Sequence, residues 1–293
     1  MYEKMRYVFF PGCLSATQQY AYEFSALTVL NELGVEIIYP ENVNCCGFPL
    51  RSLNSYGWIY LSARLMSVLE DFDAPTLLLC NWCHESLTYA IRLLSGNSEL
   101  LEWVNELLKE EDLEFKGNLK FKHLIEVLHD DIGLEKISSH LKRKLEGYCF
   151  SIHPGCYSFR PGDHPKMDSN EKPLKLLELV EVLGAEGRNH LDCCGWAISK
   201  TSMDVGLTLS GNRIKEAADS SCDGIIISCP HGGEIMETNY MDSAKASNVK
   251  ADIPVLYYPQ LLGLALGLKP EKVALHLNKS PVAVLLRRLG YLN

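Results

Sequence analysis

Asn44-Cys45-Cys46-Gly47 in the first half of the chain recurs as Asp192-Cys193-Cys194-Gly195 in the second half. Pro11-Gly12-Cys13 recurs in the same order as Pro154-Gly155-Cys156. Two adjacent cysteines can hardly both face an apolar core, so a pair that occurs twice in matching surroundings points to chemistry rather than packing. The repeat therefore predicts two related cysteine sites in one chain.

A third motif extends the repeat. The apolar stretch Leu77–Cys80 ends on a cysteine, and so does Ile226–Cys229. Three matched motifs at nearly one offset are typical of a duplicated domain. We predict two domains, residues 1–146 and 147–293, which pack against each other because no low-complexity linker separates them.

Composition excludes several classes of protein. The chain has 293 residues, 47% of them hydrophobic, which is enough for a packed core, and its net charge of −9 argues against a nucleic-acid partner. The N-terminus lacks the pattern of a signal peptide, and the most apolar window, residues 253–268, is too short to span a membrane. We therefore expect a cytoplasmic protein without membrane insertion, in which many cysteines favour metal or redox chemistry over disulfides.

Apolar runs alternate with helical patterns in both halves. The predicted strands are Arg6–Phe10, Val35–Tyr39, Thr76–Leu79, Tyr148–Ile152, a less regular one near Gly184–Asn189, and Gly224–Ser228. The predicted helices are Thr17–Leu33, Tyr56–Glu70, Leu174–Leu183 and Met203–Ala218, and residues 98–146 also have helical spacing. This alternation predicts an α/β fold of two duplicated domains, each a small Rossmann-like parallel sheet with helices on both faces.

Each repeated cysteine group follows a predicted strand and precedes a helix. In a parallel sheet such positions meet at one edge, beyond the carboxyl ends of the strands, where ligands usually bind. Nine cysteines belong to these groups: Cys13, Cys45, Cys46, Cys80 and Cys83 in the first half, and Cys156, Cys193, Cys194 and Cys229 in the second. The two others, Cys149 and Cys222, are expected to act as small apolar core residues.

Zinc, an iron–sulfur cluster and a redox disulfide are the candidates for these sites. The first half offers five thiols, one more than an ordinary binuclear or cubane cluster uses. Two adjacent cysteines at one site favour an enlarged cluster in which an iron takes more than one thiolate. The chain has no GxGxxG or P-loop motif, so the sequence gives no support for a nucleotide.

The pattern Cys13, Cys45-Cys46-Gly47 and Cys80-Asn81-Trp82-Cys83 resembles the CCG domain, and two such domains in one chain resemble the B-type subunits of heterodisulfide reductases. The resemblance implies a noncubane [4Fe-4S] cluster on the five thiols of the first half. It also implies two partners, a ferredoxin-like iron–sulfur protein (the C type) and a flavin protein (the A type), as further members of a complex. Lactate and glycolate oxidation subunits carry the same domain.

The resemblance implies an oxidoreductase that acts on sulfur groups: the catalytic subunit of a multisubunit complex, with a small thiol, disulfide or persulfide as substrate. The chemistry would take place at the clusters, so no side chain is expected to act as the nucleophile. Two alternatives stay open. One is an iron–sulfur subunit that only relays electrons, as in lactate or glycolate oxidation, and the other is a zinc-stabilised scaffold.

The second half departs from the pattern. Its final cysteine would fall at Gly232, in the sequence Cys229-Pro230-His231-Gly232, which leaves four thiols and a nearby histidine. The noncubane cluster could persist with an open iron or with His231 as a ligand, a four-cysteine cluster could replace it, or zinc could bind. We favour a cluster, because Pro154-Gly155-Cys156 and the Cys-Cys-Gly motif are intact. His231 is as well explained by a solvent-facing position as by ligation.

Other side chains carry weaker signals. Arg51 and Lys200 follow the two Cys-Cys-Gly motifs and could contact an anionic substrate, although solvated surface charges are the simpler interpretation. His153 could donate a hydrogen bond to a cluster sulfide or to a backbone carbonyl, and Trp82 is expected to shield the cluster from water. The pattern of residues 281–289 predicts an amphipathic helix on the chain's own core.

Overall fold

The computed structural model of this chain describes residues 5–160, 166–250 and 252–292. Within them lie two four-stranded sheets in which every neighbouring pair of strands is parallel, in the orders β2-β1-β3-β4 and β6-β5-β7-β8. The strands are β1 Arg6–Phe10, β2 Glu36–Ile38, β3 Thr76–Leu78, β4 Phe121–His123, β5 Cys149–His153, β6 Glu186–Asn189, β7 Gly224–Ile227 and β8 Val255–Tyr257.

Helices flank both sheets. In the first half they are α1 Cys13–Thr17, α2 Tyr20–Glu32, α3 Ser55–Glu70, α4 Asn81–Ser95, α5 Ser98–Leu108, α6 Leu124–Glu126 and α7 Leu134–His140. In the second half they are α8 Lys175–Glu181, α9 Trp196–Ser199, α10 Met203–Asp219, α11 Pro230–Gly233, α12 Tyr240–Ala246, α13 Tyr258–Ala265 and α14 Val282–Arg288. Short 3₁₀ turns and two π-helical segments, Val127–Gly133 and Glu234–Thr238, complete the chain.

The predicted fold class is confirmed: the chain is an α/β protein with two parallel sheets of the same strand order. Each sheet nevertheless has a fourth strand that the sequence did not predict. β4 lies inside residues 98–146, which have helical spacing, and this helical interpretation is wrong for that stretch. The predicted helix from Thr17 to Leu33 begins three residues too early, because α1 ends at Thr17 and α2 begins at Tyr20.

Side chains of β1 alternate between two cores. Tyr7 and Phe9 pack into a core that continues into the second half of the chain, and Val8 and Phe10 face a separate core with α3, α4 and α5. This alternation follows from the two-residue period of a strand. The predicted helix at the C-terminus, α14, packs on the shared core through Leu285, which is buried.

The two halves pack against each other through α2 and the strand β8. The rings of Tyr22 and Tyr257 stack with centroids 4.3 Å apart, and the Tyr22 hydroxyl donates to the Ser228 carbonyl oxygen at 3.0 Å. The Tyr257 hydroxyl donates to the side-chain oxygen of Gln19 at 2.8 Å. These contacts are buried, so the interface fixes how the cysteine-bearing edges of the two sheets meet. The division into domains at residue 146 stays a prediction.

Candidate metal centres

Local structure brings the five first-half cysteines to one edge of the first sheet. Cys13 begins α1 directly after β1, and Cys45 and Cys46 follow β2. Cys80 is the N-cap residue of α4, and Cys83 lies in the first turn of that helix. All five line one cavity of about 670 Å³, which we call the first centre.

Interactions among these thiols separate their acidities. Hydrogen bonds from the Cys45 and Cys83 thiols lower the pKa of Cys46 to about 5. Burial opposes ionisation of Cys80, but the Cys83 thiol and the His231 imidazole together bring the pKa of Cys80 well below its usual range. Hydrogen bonds with the thiols of Cys46 and Cys80 raise the pKa of Cys83 well above its usual range. These contacts favour the thiolate forms of Cys46 and Cys80, and the thiolate is the form in which cysteine binds metal.

Four second-half cysteines meet at the corresponding edge of the second sheet. Cys156, Cys193, Cys194 and Cys229 line a cavity of about 30 Å³, much smaller than the first, which we call the second centre. A hydrogen bond from the Cys194 thiol lowers the pKa of Cys193 to about 6, whereas burial raises the pKa of Cys156 to about 11. Gly232 lines this cavity at the position that Cys83 occupies in the first centre.

Two buried polar atoms at the second centre have no hydrogen-bond partner among the described residues: Asn81 Oδ1 and His153 Nδ1. Both residues line the cavity of the second centre, and an unpaired polar atom in a buried place is costly. Burial also lowers the pKa of His153 to about 4, so this imidazole is neutral at pH 7. The second centre therefore fits a polar or inorganic group that these two atoms could contact.

Both centres also have a glycine where a side chain would intrude. A Cβ atom at Gly12 would lie 3.0 Å from the Cys83 sulfur, and one at Gly155 would lie 3.2 Å from Cys229 Cβ. Within the described ranges, no three His, Cys, Asp or Glu side chains are arranged to hold a single metal ion. Thiolates spread around a cavity, with glycine keeping the backbone close, fit a cluster of several atoms better than one ion.

An aromatic wall separates the two centres. Trp82 and His231 occupy equivalent positions of the repeat and stack on each other, with ring centroids 4.8 Å apart and planes 21° apart. Trp196 packs edge-on against both rings. His231 Nδ1 lies 3.6 Å from Cys80 Sγ and 4.0 Å from Cys229 Sγ, so this one side chain reaches a cysteine of each centre. His231 is half-buried and lines the cavities of both centres, which favours contact with the centres over a fully solvent-facing position, and its role as a ligand stays a prediction.

Arg51 and Lys200 both line the cavity of the first centre. The Arg51 guanidinium lies 4.2 Å from the centre of the Tyr89 ring and 3.6 Å from the Glu85 carboxylate. The Lys200 amine lies 2.7 Å from the Glu234 carboxylate. Their interpretation as solvated surface charges is incomplete, because each cation is paired with a carboxylate.

Three aromatic residues of the wall were missed from the sequence: Phe48, Tyr157 and Trp196. The rings of Phe48 and Tyr157 lie within 6 Å of each other, and both pack edge-on against Trp82. A signal was present, because Phe48 and Trp196 each directly follow a Cys-Cys-Gly motif and Tyr157 follows Cys156. Their meeting depends on the packing of the two halves, which the motifs do not specify.

Gly12→Ala is expected to cost both stability and metal. Gly12 has φ 79° and ψ 157°, a region that only glycine adopts readily, so alanine should cost about 1–3 kcal/mol of unfolding free energy. Its methyl group would also press on Cys83 and disturb the first centre. Gly133→Ala is the matched control: Gly133 has φ 83° and ψ 150°, with nothing within 4 Å of an added Cβ. Urea unfolding should show a lower free energy of unfolding for both variants, and iron analysis should show a loss in Gly12→Ala alone. Equal iron in both variants would refute the argument that a methyl group at position 12 disturbs Cys83.

Comparison with known proteins identifies the family of this chain. The family model of the cysteine-rich domain, CCG, matches residues 7–88 and 150–233, so the chain belongs to this family. It is 28% identical over 276 residues to the B-type subunit of a ferredoxin/F420H2-dependent CoB–CoM heterodisulfide reductase from Methanosarcina acetivorans, with 92% of each chain covered. The resemblance inferred from the cysteine motifs is thereby confirmed.

Two further likenesses cover most of this chain. It is 49% identical over 263 residues to an uncharacterized iron–sulfur protein from Methanococcus maripaludis, covering 89% of this chain and 47% of that one. A hypothetical protein from Helicobacter pylori shares the fold, with a TM-score of 0.73 over 96% of this chain and 54% of that chain at 14% identity. In the part of the chain that the structure describes, no helix is long and apolar enough to cross a membrane.

Proposed function

We propose that this protein is the iron–sulfur subunit of a heterodisulfide-reductase-type complex, in which it carries out thiol and disulfide redox chemistry at the first centre. One observation carries the proposal: two sets of cysteines, equivalent in the repeat, face each other across a shared aromatic wall, and one set opens onto a large cavity. Its similarity to the B-type subunit of a heterodisulfide reductase over 92% of both chains supports the same conclusion.

Different groups of residues have different proposed roles. Cys13, Cys45, Cys46, Cys80 and Cys83 would hold a noncubane [4Fe-4S] cluster, and Cys156, Cys193, Cys194 and Cys229 would hold a second iron–sulfur cluster. Such clusters supply single-electron transfer and iron with affinity for sulfur. Phe48, Trp82 and Tyr157 exclude water from one side of the cavity, and Arg51 and Lys200 place positive charge at its wall, where an anionic group of a thiol or disulfide could be oriented.

Electrons must enter from another protein. The ferredoxin spacing C-x2-C-x2-C-x3-C is absent from the chain, so a ferredoxin-like subunit and a flavin subunit are the proposed partners. The substrate proposed is a small thiol, disulfide or persulfide, because the cavity admits a molecule of modest size beside the five thiols.

Anaerobic metal analysis is the first test of the two centres. We expect about eight irons and no zinc per chain, since each centre would hold a four-iron cluster. About four irons with one zinc would instead make the second centre a structural zinc site. Zinc alone would overturn the proposed redox function.

A thiol titration separates catalysis from simple electron relay. The oxidised protein would be mixed with coenzyme M, coenzyme B, 2-mercaptoethanol or hydrosulfide, and EPR spectra would be recorded at each concentration. We expect at least one thiol to change the signal of the first centre, because that centre opens onto the larger cavity. Spectra that none of these thiols changes would favour a relay subunit, as in lactate or glycolate oxidation.

A further inference from the structure

Cys149 and Cys222 form a pair of thiols outside both metal centres. Cys149 begins β5, Cys222 precedes β7, and their sulfur atoms lie 3.5 Å apart. Cys156 follows the opposite end of β5, and at about 3.3 Å per residue this strand separates the pair from the second centre by roughly 16 Å. The pair therefore lies at the opposite edge of the second sheet from the proposed clusters.

The backbone around the pair is fixed in register. The Asp223 N–H donates to the Cys149 carbonyl oxygen at 2.6 Å, and the Cys149 N–H donates to the Asp223 carboxylate at 2.9 Å. The next residues, Phe150 and Gly224, form the first pair of the parallel ladder between β5 and β7. A disulfide bond is about 2.05 Å long, so the two sulfurs need to approach by only about 1.5 Å, which side-chain rotation can supply.

We propose that Cys149 and Cys222 are a redox-active dithiol, which a small-molecule disulfide oxidises to an intramolecular disulfide. The Cys149 thiolate attacks the small disulfide, forms a mixed disulfide and releases one thiol. The Cys222 thiolate then displaces the second small thiol and closes the bond between Cys149 and Cys222. The two protein thiols lose two protons and two electrons in total, and the small disulfide is reduced to two thiols.

Exposure and charge set this order. Cys149 is partly exposed, whereas Cys222 is buried, so an incoming disulfide reaches Cys149 first. Burial and the neighbouring Cys149 thiol raise the pKa of Cys222 to about 12, so Cys222 is not the thiol that makes the first attack. The Arg188 guanidinium opposes this rise in the pKa of Cys222, whereas the carboxylate of Glu186, its ion-pair partner, adds to it.

The disulfide would stabilise the second sheet. It would join two residues that are 73 positions apart and tie the start of β5 to the entrance of β7, which restricts the unfolded chain most when the closed loop is long. The oxidised protein should therefore unfold at a higher temperature than the reduced protein, without any change in the iron content of the two centres.

Disulfide mapping by mass spectrometry, starting from the holoprotein, tests the proposal. The reduced protein would be equilibrated anaerobically with buffers of reduced and oxidised glutathione, trapped with iodoacetamide and digested without reduction. We expect a crosslink between Cys149 and Cys222 that rises from absent to predominant as the oxidised fraction increases. Fragment spectra must locate the link, because Cys156 and Cys229 fall in the same tryptic peptides as the pair.

Cys149→Ser and Cys222→Ser are the matched variants, since serine replaces only the sulfur. In each, the crosslink and the rise in melting temperature should both disappear, while Cys149 should remain as a glutathione adduct in Cys222→Ser. The wild-type digest decides the outcome even if a variant fails to fold. Separate alkylation of both thiols, or a stable glutathione adduct on wild-type Cys149 without a crosslink, would overturn the proposal.

Discussion

Cys83→Ser is expected to remove about four of the irons that the wild-type chain binds and to abolish any thiol-dependent EPR signal. The Cys83 thiol is 3% exposed and lies against the thiols of Cys46 and Cys80, so it stands inside the first centre rather than at its edge. A serine hydroxyl is a much poorer ligand for iron than a thiolate. Disulfide reduction by the assembled complex should fall to background. Iron analysis, EPR and turnover with a reduced ferredoxin would measure the three effects.

Cys222→Ser provides the control for this experiment. Cys222 is as buried as Cys83, at 4% exposure, but lies at the other edge of the second sheet from the cysteines of both centres. It should keep the wild-type iron content and thiol response. If Cys83→Ser retained all of its iron and an unchanged spectrum, the five-thiol assignment would be wrong.

Gly232→Cys is expected to convert the second centre towards the first. An added Cβ at Gly232 meets only Cys229 Cβ, at 3.9 Å, which is an ordinary van der Waals contact, so the backbone here tolerates a side chain. The new thiol would stand at the position equivalent to Cys83 and would supply the missing fifth ligand. The variant should then show two noncubane signals by EPR, and any zinc in the wild-type protein should be replaced by iron.

Gly232→Ser separates the effect of the sulfur from that of added bulk. Serine fills nearly the same volume but offers no thiolate, so the metal content and spectrum should remain those of the wild type. Unchanged spectra in the cysteine variant would mean that Gly232 is not the position of a lost ligand. The same spectral change in both variants would assign the effect to volume alone.

Much of the fold could be predicted because the strands that build the centre of each sheet have clear apolar patterns. β4 and β8 escaped prediction for a physical reason. β4 lies inside residues 98–146, whose spacing is helical, and β8 lies inside the continuous apolar window of residues 253–268. Neither stretch shows the two-residue period of a strand. Pairing with the neighbouring strand, rather than local sequence, makes Phe121–His123 extended.

Part of the candidate site could also be predicted from the sequence. The cysteines of each half were expected at one sheet edge, because parallel strands present their carboxyl ends together. What the sequence could not predict was the position of His231 between the two centres and the sizes of the two cavities. Both depend on contacts such as the stack of Tyr22 on Tyr257, which join residues more than 200 positions apart.

The stacking of Trp82 on His231 also has a meaning for the ancestry of the chain. Equivalent residues of two copies meet face to face only near an axis of two-fold symmetry, the arrangement of a homodimer. A dimer of identical halves could not lose one cysteine without losing its counterpart as well. Because one chain carries both copies, cysteine at position 83 and glycine at the equivalent position 232 can coexist. Duplication within one chain thus lets the two centres differ.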